Sequence, residues 1–192
     1  MIKFYSIFFI FFSLKVFAYD ISEFKIEGIG LGDSLLNHFN VSEIQKAKVN
    51  YPYKDDKYFE VEFKIKSFEN YPNIQVSLKK GDTSFEVYKI SGFEFYDKNT
   101  KLCMDRVDKV SSEFSSIFKN IEAKVALENH KADPSGKSKA KVAQFEFDNG
   151  DVILAECYDW SDEMTSNLNY TDNFGLTILS SDIVFWLEYY AY

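Results

Sequence analysis

From Phe59 to Lys66 apolar and charged side chains alternate without a break: Phe59, Val61, Phe63 and Ile65 against Glu60, Glu62, Lys64 and Lys66. Period two separates an apolar from a charged side only in an extended chain, so this stretch commits the protein to a sheet with one buried face. The period returns in Ile74, Val76 and Leu78, in Phe85 and Val87, and in Phe93 and Phe95. Residues 70–73 and 80–83 read as turns, and Gly92 as a bulge. Residues 58–96 therefore read as an antiparallel meander.

Residues 100–119 change period. Cys103, Val107, Val110, Phe114 and Ile117 fall at spacings of three and four, the stripe of one amphipathic helix. Alternation resumes at Ile121, Ala123, Val125 and Leu127, and residues 129–141 read as a mobile polar loop. Asn149-Gly150 is a hairpin signal. A two-residue loop there sets Phe147 opposite Val152 and Phe145 opposite Leu154, with Ile153, Ala155 and Cys157 on the other side. The helix stripe carries Cys103, so packing it on the side that bears Cys157 brings the two cysteines of the chain together as a disulfide. Phe174, Leu176 and Ile178 form a last strand, and a short helix follows from Ser181. Near the start, Asp33 or Ser34 is positioned to cap a helix carrying Leu35, Leu36 and Phe39, and Ser42 a second one through Lys48. Helices, strands, helix, strands, helix is an order with two similar halves.

Residues 1–18, MIKFYSIFFIFFSLKVFA, read as a cleavable export signal: Lys3, an apolar run through Leu14, and Val16-Phe17-Ala18 before a cut at Tyr19. The run is too short to span a bilayer, and no later stretch is apolar enough. Residues 19–192 are then one domain, periplasmic or secreted. An abundance of Lys, Asn, Ile, Phe and Tyr fits a bacterial genome. Lys3 and Lys15 are the only charges in the signal, so removing it makes the net charge of −8 two units more negative. Such a surface repels phosphates and anionic lipid, which excludes nucleic acid as the expected partner.

Gly32-Asp33-Ser34-Leu35 resembles the nucleophile block of the GDSL esterase family, where a histidine activates the serine. That family pairs Asp-x-x-His near its end. Here His38 lies four residues from Ser34, and the residue three before His130 is Leu127. The expectation is therefore no catalytic residue and no enzyme, with an ester hydrolase using Ser34 as the alternative. Gly28-x-Gly-x-Gly lacks the third glycine of a dinucleotide loop, since position 33 is Asp. Two cysteines and two distant histidines give no zinc spacing, and Asp159-Trp160-Ser161-Asp162-Glu163 lacks a calcium-loop pattern. No metal and no cofactor is expected. Most phenylalanines sit on inward strand positions. Tyrosines 51, 53, 58, 71, 189, 190 and 192 cluster elsewhere and suit contact with a partner.

The segment 26–39, Ile-Glu-Gly-Ile-Gly-Leu-Gly-Asp-Ser-Leu-Leu-Asn-His-Phe, resembles a G-I-x-L-G-x-S-L motif at the mature start of small exported bacterial proteins of unknown function. Glu156-Cys-Tyr-Asp-Trp-Ser161 resembles their second block. Similar openings occur in the α+β modules of outer-membrane-assembly lipoproteins and β-lactamase inhibitor proteins. The resemblance implies a module that binds other proteins; it transfers no site. Asp33 stands where methionine is common there, and a lipidation cysteine is missing. The fold expected is α+β: an antiparallel sheet of six or seven strands packed on one long helix, with short helices at both ends of the domain. The function expected is binding of an envelope protein, with self-association through edge strands as a further alternative.

Overall fold

The computed structural model describes residues 21–96, 99–131 and 133–192; the export signal at 1–18 lies outside the described residues. The fold is α+β. Eight strands form one antiparallel sheet: β1 (Lys48–Val49), β2 (Tyr58–Lys64), β3 (Asn73–Lys79), β4 (Val87–Phe95), β5 (Lys124–Asn129), β6 (Lys139–Glu146), β7 (Val152–Asp159) and β8 (Asn173–Leu179). Their order is β1-β2-β3-β4-β8-β7-β6-β5. The first four strands run from one edge to the centre. Helix α2 (Thr100–Ile117) then carries the chain to the other edge, and the last four return to the centre. The two meanders meet where β4 pairs with β8, Ile90 opposite Ile178. Three shorter helices are α1 (Val41–Lys46), α3 (Asp162–Leu168) and α4 (Ser181–Tyr189).

One face of the sheet is roofed except at the β5 edge. The stripe Cys103, Val107, Val110 and Phe114 of α2 joins Phe145, Ile153, Ala155, Cys157 and Phe174 in one core. The helix packs mainly on β6, β7 and β8, with Arg106 reaching Glu94 of β4, so it covers about half of that face rather than all of it. The N-terminal segment covers the half made by the first meander, with Ile21, Ile26, Ile29, Leu35 and Ile44 in the same core as Val61, Val76 and Leu78. That segment is tied down by its backbone. Ile26 and Ile29 exchange both N–H···O bonds around Glu27 and Gly28, which both take positive φ, the geometry of a tight hairpin turn. The Glu27 carboxylate accepts the backbone N–H groups of Glu69, Asn70 and Tyr71. On the opposite face only one end is roofed: α4 brings Ile183 and Trp186 into a core with Tyr58, Val152 and Leu179.

Several local expectations are corrected. An eighth strand exists because α1 stops at Lys46 and Lys48–Val49 pairs with β2, in place of a helix running through Lys48. The cap of α1 is Asn40, in a capping box with Glu43, not Ser42. The helix expected after Ser34 is a single 3-10 turn, Leu35–Asn37, and Ser34 makes no side-chain cap bond. The strand irregularity lies between Ser77 and Leu78, not at Gly92. Gly92 instead leaves room for Tyr71: a Cβ there would stand 2.5 Å from the ring's Cγ. The Asn149-Gly150 turn is one residue longer than a two-residue loop. Phe147 N–H donates to Asp151 O, and Gly150 is left-handed. Phe145 therefore faces Ile153, and both share the α2 side with Ala155 and Cys157. One residue of register decides which side is core, and this register places Ala143, Phe145, Ile153, Ala155 and Cys157 there together instead of splitting them.

Candidate binding face of the sheet

Cys103 and Cys157 form a disulfide between α2 and β7, with Cα atoms 5.7 Å apart and both residues wholly buried. The residues considered for hydrolysis do not assemble. Ser34 bridges Glu86 just before β4, and its hydroxyl donates to Ser84 O at 2.5 Å. His38 is exposed. His130 follows β5, with three strands between it and β4, and its ring lies 4.3 Å from Trp160 and 4.9 Å from Tyr158. Burial in that aromatic cluster pushes its pKa below the ordinary histidine value. Among the described residues no group of three His, Cys, Asp or Glu side chains could hold a metal ion, and no helix is long and apolar enough to cross a membrane.

The loop expected to be mobile is built around a carboxylate. Asp133 is buried and accepts from Ser135 N–H, Ser138 N–H and the hydroxyls of Ser138 and Ser161. These bonds, Ser138's first, hold its pKa below the usual range. Strand β6 already begins at Lys139, inside the stretch read as loop.

The face opposite α2 carries the unusual chemistry. On β2, β3 and β4 the side chains on the side away from α2 include Glu60, Gln75, Ser77, Lys89 and Ser91, and all five are buried. They bond one another. Ser77 Oγ lies 2.7 Å from Glu60 Oε1, Lys89 Nζ donates to Gln75 Oε1 at 2.8 Å and stands 3.3 Å from Glu60, and Gln75 Nε2 donates to Glu62 at 2.9 Å. Further across, Thr177 donates to Ser91, and Tyr158 donates to Glu156 at 2.8 Å. Burial lifts the Glu156 carboxyl above its ordinary value, with the Tyr158 bond and the nearby Lys89 charge opposing it. The centre of this face thus holds three carboxylates, Glu60, Glu62 and Glu156, around one lysine.

Tyrosines lie over this floor. Tyr53 donates to Glu60, while Tyr51 donates to Glu62 and accepts from Gln75. Burial, then the neighbouring carboxylates, push both hydroxyls upward in pKa, so they remain neutral donors. Tyr192 packs edge-on against Tyr53 with ring centres 5.6 Å apart. Beside them opens a cleft of about 200 Å³ lined by Tyr51, Glu62, Gln75, Phe93, Phe95 and Asn173; the buried Asn173 side-chain oxygen has no hydrogen-bond partner among the described residues. On the outer side of α4, Phe185 packs at a tilt against both Tyr189 and Tyr190, and all three are more than half exposed. The tyrosines therefore divide. Tyr51, Tyr53 and Tyr192 gather on the open face, Tyr189 and Tyr190 form a ledge on α4, and Tyr58 and Tyr71 belong to the cores. Sequence reasoning found these tyrosines but missed the floor, whose only signal was Ser77, Lys89 and Ser91 in strands of otherwise apolar composition.

Compared with family models, with curated proteins and with solved structures, the chain matches none. The segment 26–39, which carried the resemblance to small exported proteins, is a structural clasp: Gly32 N–H and Val87 N–H bond across to β4 and to Asp33, and the Asp33 carboxylate accepts from Gly30 N–H and Lys25.

Proposed function

We propose that this chain is an exported, non-enzymatic module that binds an envelope protein through the open face of its sheet. The observation that carries the reading is the contrast between the two faces. One is roofed by α2 and the N-terminal segment, while the other keeps a hydrogen-bonded carboxylate floor beneath Tyr51, Tyr53 and Tyr192. Aromatic side chains above polar groups give large contact area at small entropy cost, the composition of protein-recognition patches. Three carboxylates around one lysine, on a chain of net charge −8, favour a partner that presents lysine or arginine. Export rests on residues 1–18 and agrees with the buried disulfide, which needs an oxidising compartment such as the periplasm. The segment 26–39 resembles the mature start of small exported bacterial proteins and supports the same reading.

A photo-crosslinking residue introduced at Tyr192, Tyr51 or Phe95 in cells tests the reading. Attachment of one envelope protein from these positions, and not from Lys109 or Glu113 on the far side of α2, is the expected result. Equal labelling from both sides, or none from the open face, refutes it. Ser34→Ala separates the hydrolase alternative, which alone predicts loss of ester turnover.

A further inference from the structure

Strand β5 ends the sheet and, among the described residues, pairs only with β6. All six of its residues are exposed, Val125 at 51% and Leu127 at 67%. The opposite edge, β1, is two residues long and too short to template another chain. Strand β5 contains no proline, and its pairing with β6 shows no bulge.

The backbone fixes which groups of β5 are open. His130 N–H donates to Ser138 O, so the pair His130–Ser138 is hydrogen-bonded. Antiparallel ladders alternate, so Glu128, Ala126 and Lys124 also turn their backbone groups toward β6, opposite Ala140, Val142 and Gln144. Val125, Leu127 and Asn129 turn theirs to the free edge.

We infer that two copies of this chain pair antiparallel through β5, with Ala126 on the two-fold axis. A symmetric pair must set outward-turned residues opposite outward-turned residues, so the axis falls on a residue, at 125, 126, 127 or 128 if at least three residues of each β5 overlap; the axis at 128 sets Glu128 opposite itself. The axis at 125 sets Lys124 opposite Ala126. The axis at 127 sets Glu128 opposite Ala126 and Val125 opposite Asn129. With the axis at 126, Val125 exchanges both backbone bonds with Leu127 of the second copy, and Lys124 faces Glu128 of that copy. Only this register joins the exposed apolar side chains to each other and the opposite charges to each other. It does so on the correct sides. Val125 and Leu127 lie on the α2 side, as does Ala143, whereas Lys124 and Glu128 lie on the open side. Lys124 already pairs with Glu146 of its own chain at 2.8 Å, and Glu128 of the second copy adds a second carboxylate. The product is one continuous sheet with both open faces on the same side.

The test uses the full exported chain with its disulfide intact. Light scattering after size exclusion should show a mass that rises from monomer to dimer with concentration. Lys124→Glu and Glu128→Lys should each raise the concentration needed by on the order of tenfold, because two cross-strand pairs become repulsive. Combining them should restore dimer formation. A non-hydrogen-bonded antiparallel pair has Cα atoms about 4.5 Å apart, within disulfide reach, so Ala126→Cys should give a covalent dimer. Val125→Cys and Leu127→Cys should crosslink only when the two variants are mixed. A monomer at every concentration overturns the inference. So does a dimer indifferent to the charge swap, or one crosslinked by Val125→Cys or Leu127→Cys alone.

Discussion

Reducing the Cys103–Cys157 disulfide isolates the effect of a cross-link from the effect of packing. The two positions are 54 residues apart in sequence, and both are wholly buried against the sheet. In the chain-entropy model, closing a loop of this length removes from the unfolded ensemble entropy worth about 4 kcal/mol at room temperature. Two thiols occupy nearly the volume of the disulfide, so the native core changes little. For a domain of this size the loss corresponds to a fall in Tm of about 8–16 °C. The measurement is a pair of thermal melts by circular dichroism, oxidised and reduced, with the redox state fixed by mass after alkylation in denaturant. Because neither sulfur is accessible, alkylation of the folded protein without reductant should give no adduct. A Cys103→Ala, Cys157→Ala variant should melt slightly below the reduced parent, by about 1 kcal/mol, for the sulfur volume removed. A shift under about 1 kcal/mol would refute the loop-entropy argument. Two adducts on the native protein would refute the bridge.

Gly92→Ala should destabilise by about 1–3 kcal/mol in urea denaturation, because its Cβ would collide with a Tyr71 ring whose own backbone N–H is held by Glu27. Glu156→Gln should be more stable than the parent at neutral pH. Burial lifts the folded pKa above 4.5, so the native state binds the proton more tightly and the parent loses stability as pH rises from 4.5 through the folded value. The gap between the two proteins should close as pH falls toward 4.5, and a constant gap would contradict the burial argument. Asp133→Ala should speed hydrogen exchange at Ser135 and Ser138 while leaving the sheet amides protected. Since the folded pKa of Asp133 is lowered, its clasp should hold at neutral pH and fail only as pH falls below 3.8 through the folded value.

Period and turn chemistry made most of this fold legible. The alternation of Phe59 to Ile65 and the stripe of α2 from Cys103 to Phe114 are local patterns that the tertiary structure leaves in force, while Ile117 at the end of the stripe is exposed; the cysteine pairing followed from that stripe and the side of β7 that bears Cys157. Failures came where a single residue of geometry decides the outcome. Asn149-Gly150 signals a hairpin with either loop length, and the choice rested on burying Phe145 together with Ile153, a long-range preference with no local trace. Gly92 looked like a bulge because the ring that needs its empty side, Tyr71, is twenty-one residues away. Asp133 looked like one polar residue of a loop, because its partners Ser138 and Ser161 come from different elements.

The open face of the sheet was the least legible part, and the reason bears on the proposed function. Alternation divides a strand into a core side and a water side, and Glu60 falls on the water side. Helix α4 and the C-terminal residues fold back over that side, and Lys54 N–H donates to Ala191 O to fasten them, so Glu60 becomes buried. Burying an ion pair is a poor way to gain stability, because desolvation roughly cancels the attraction; removing one partner alone leaves a bare charge. Lys89→Met should therefore cost about 3–5 kcal/mol, while Glu60→Met combined with Lys89→Met should lie close to the parent. The two proteins separate purpose from folding. If the double variant is as stable as the parent yet no longer crosslinks to a partner from position 192, the floor belongs to recognition. If it still crosslinks, recognition lies with the tyrosines and the Phe185 ledge alone. A double variant as unstable as Lys89→Met would instead make the Glu60–Lys89 network a structural necessity, held in place by the Ser77 and Tyr53 bonds that the carboxylate also accepts.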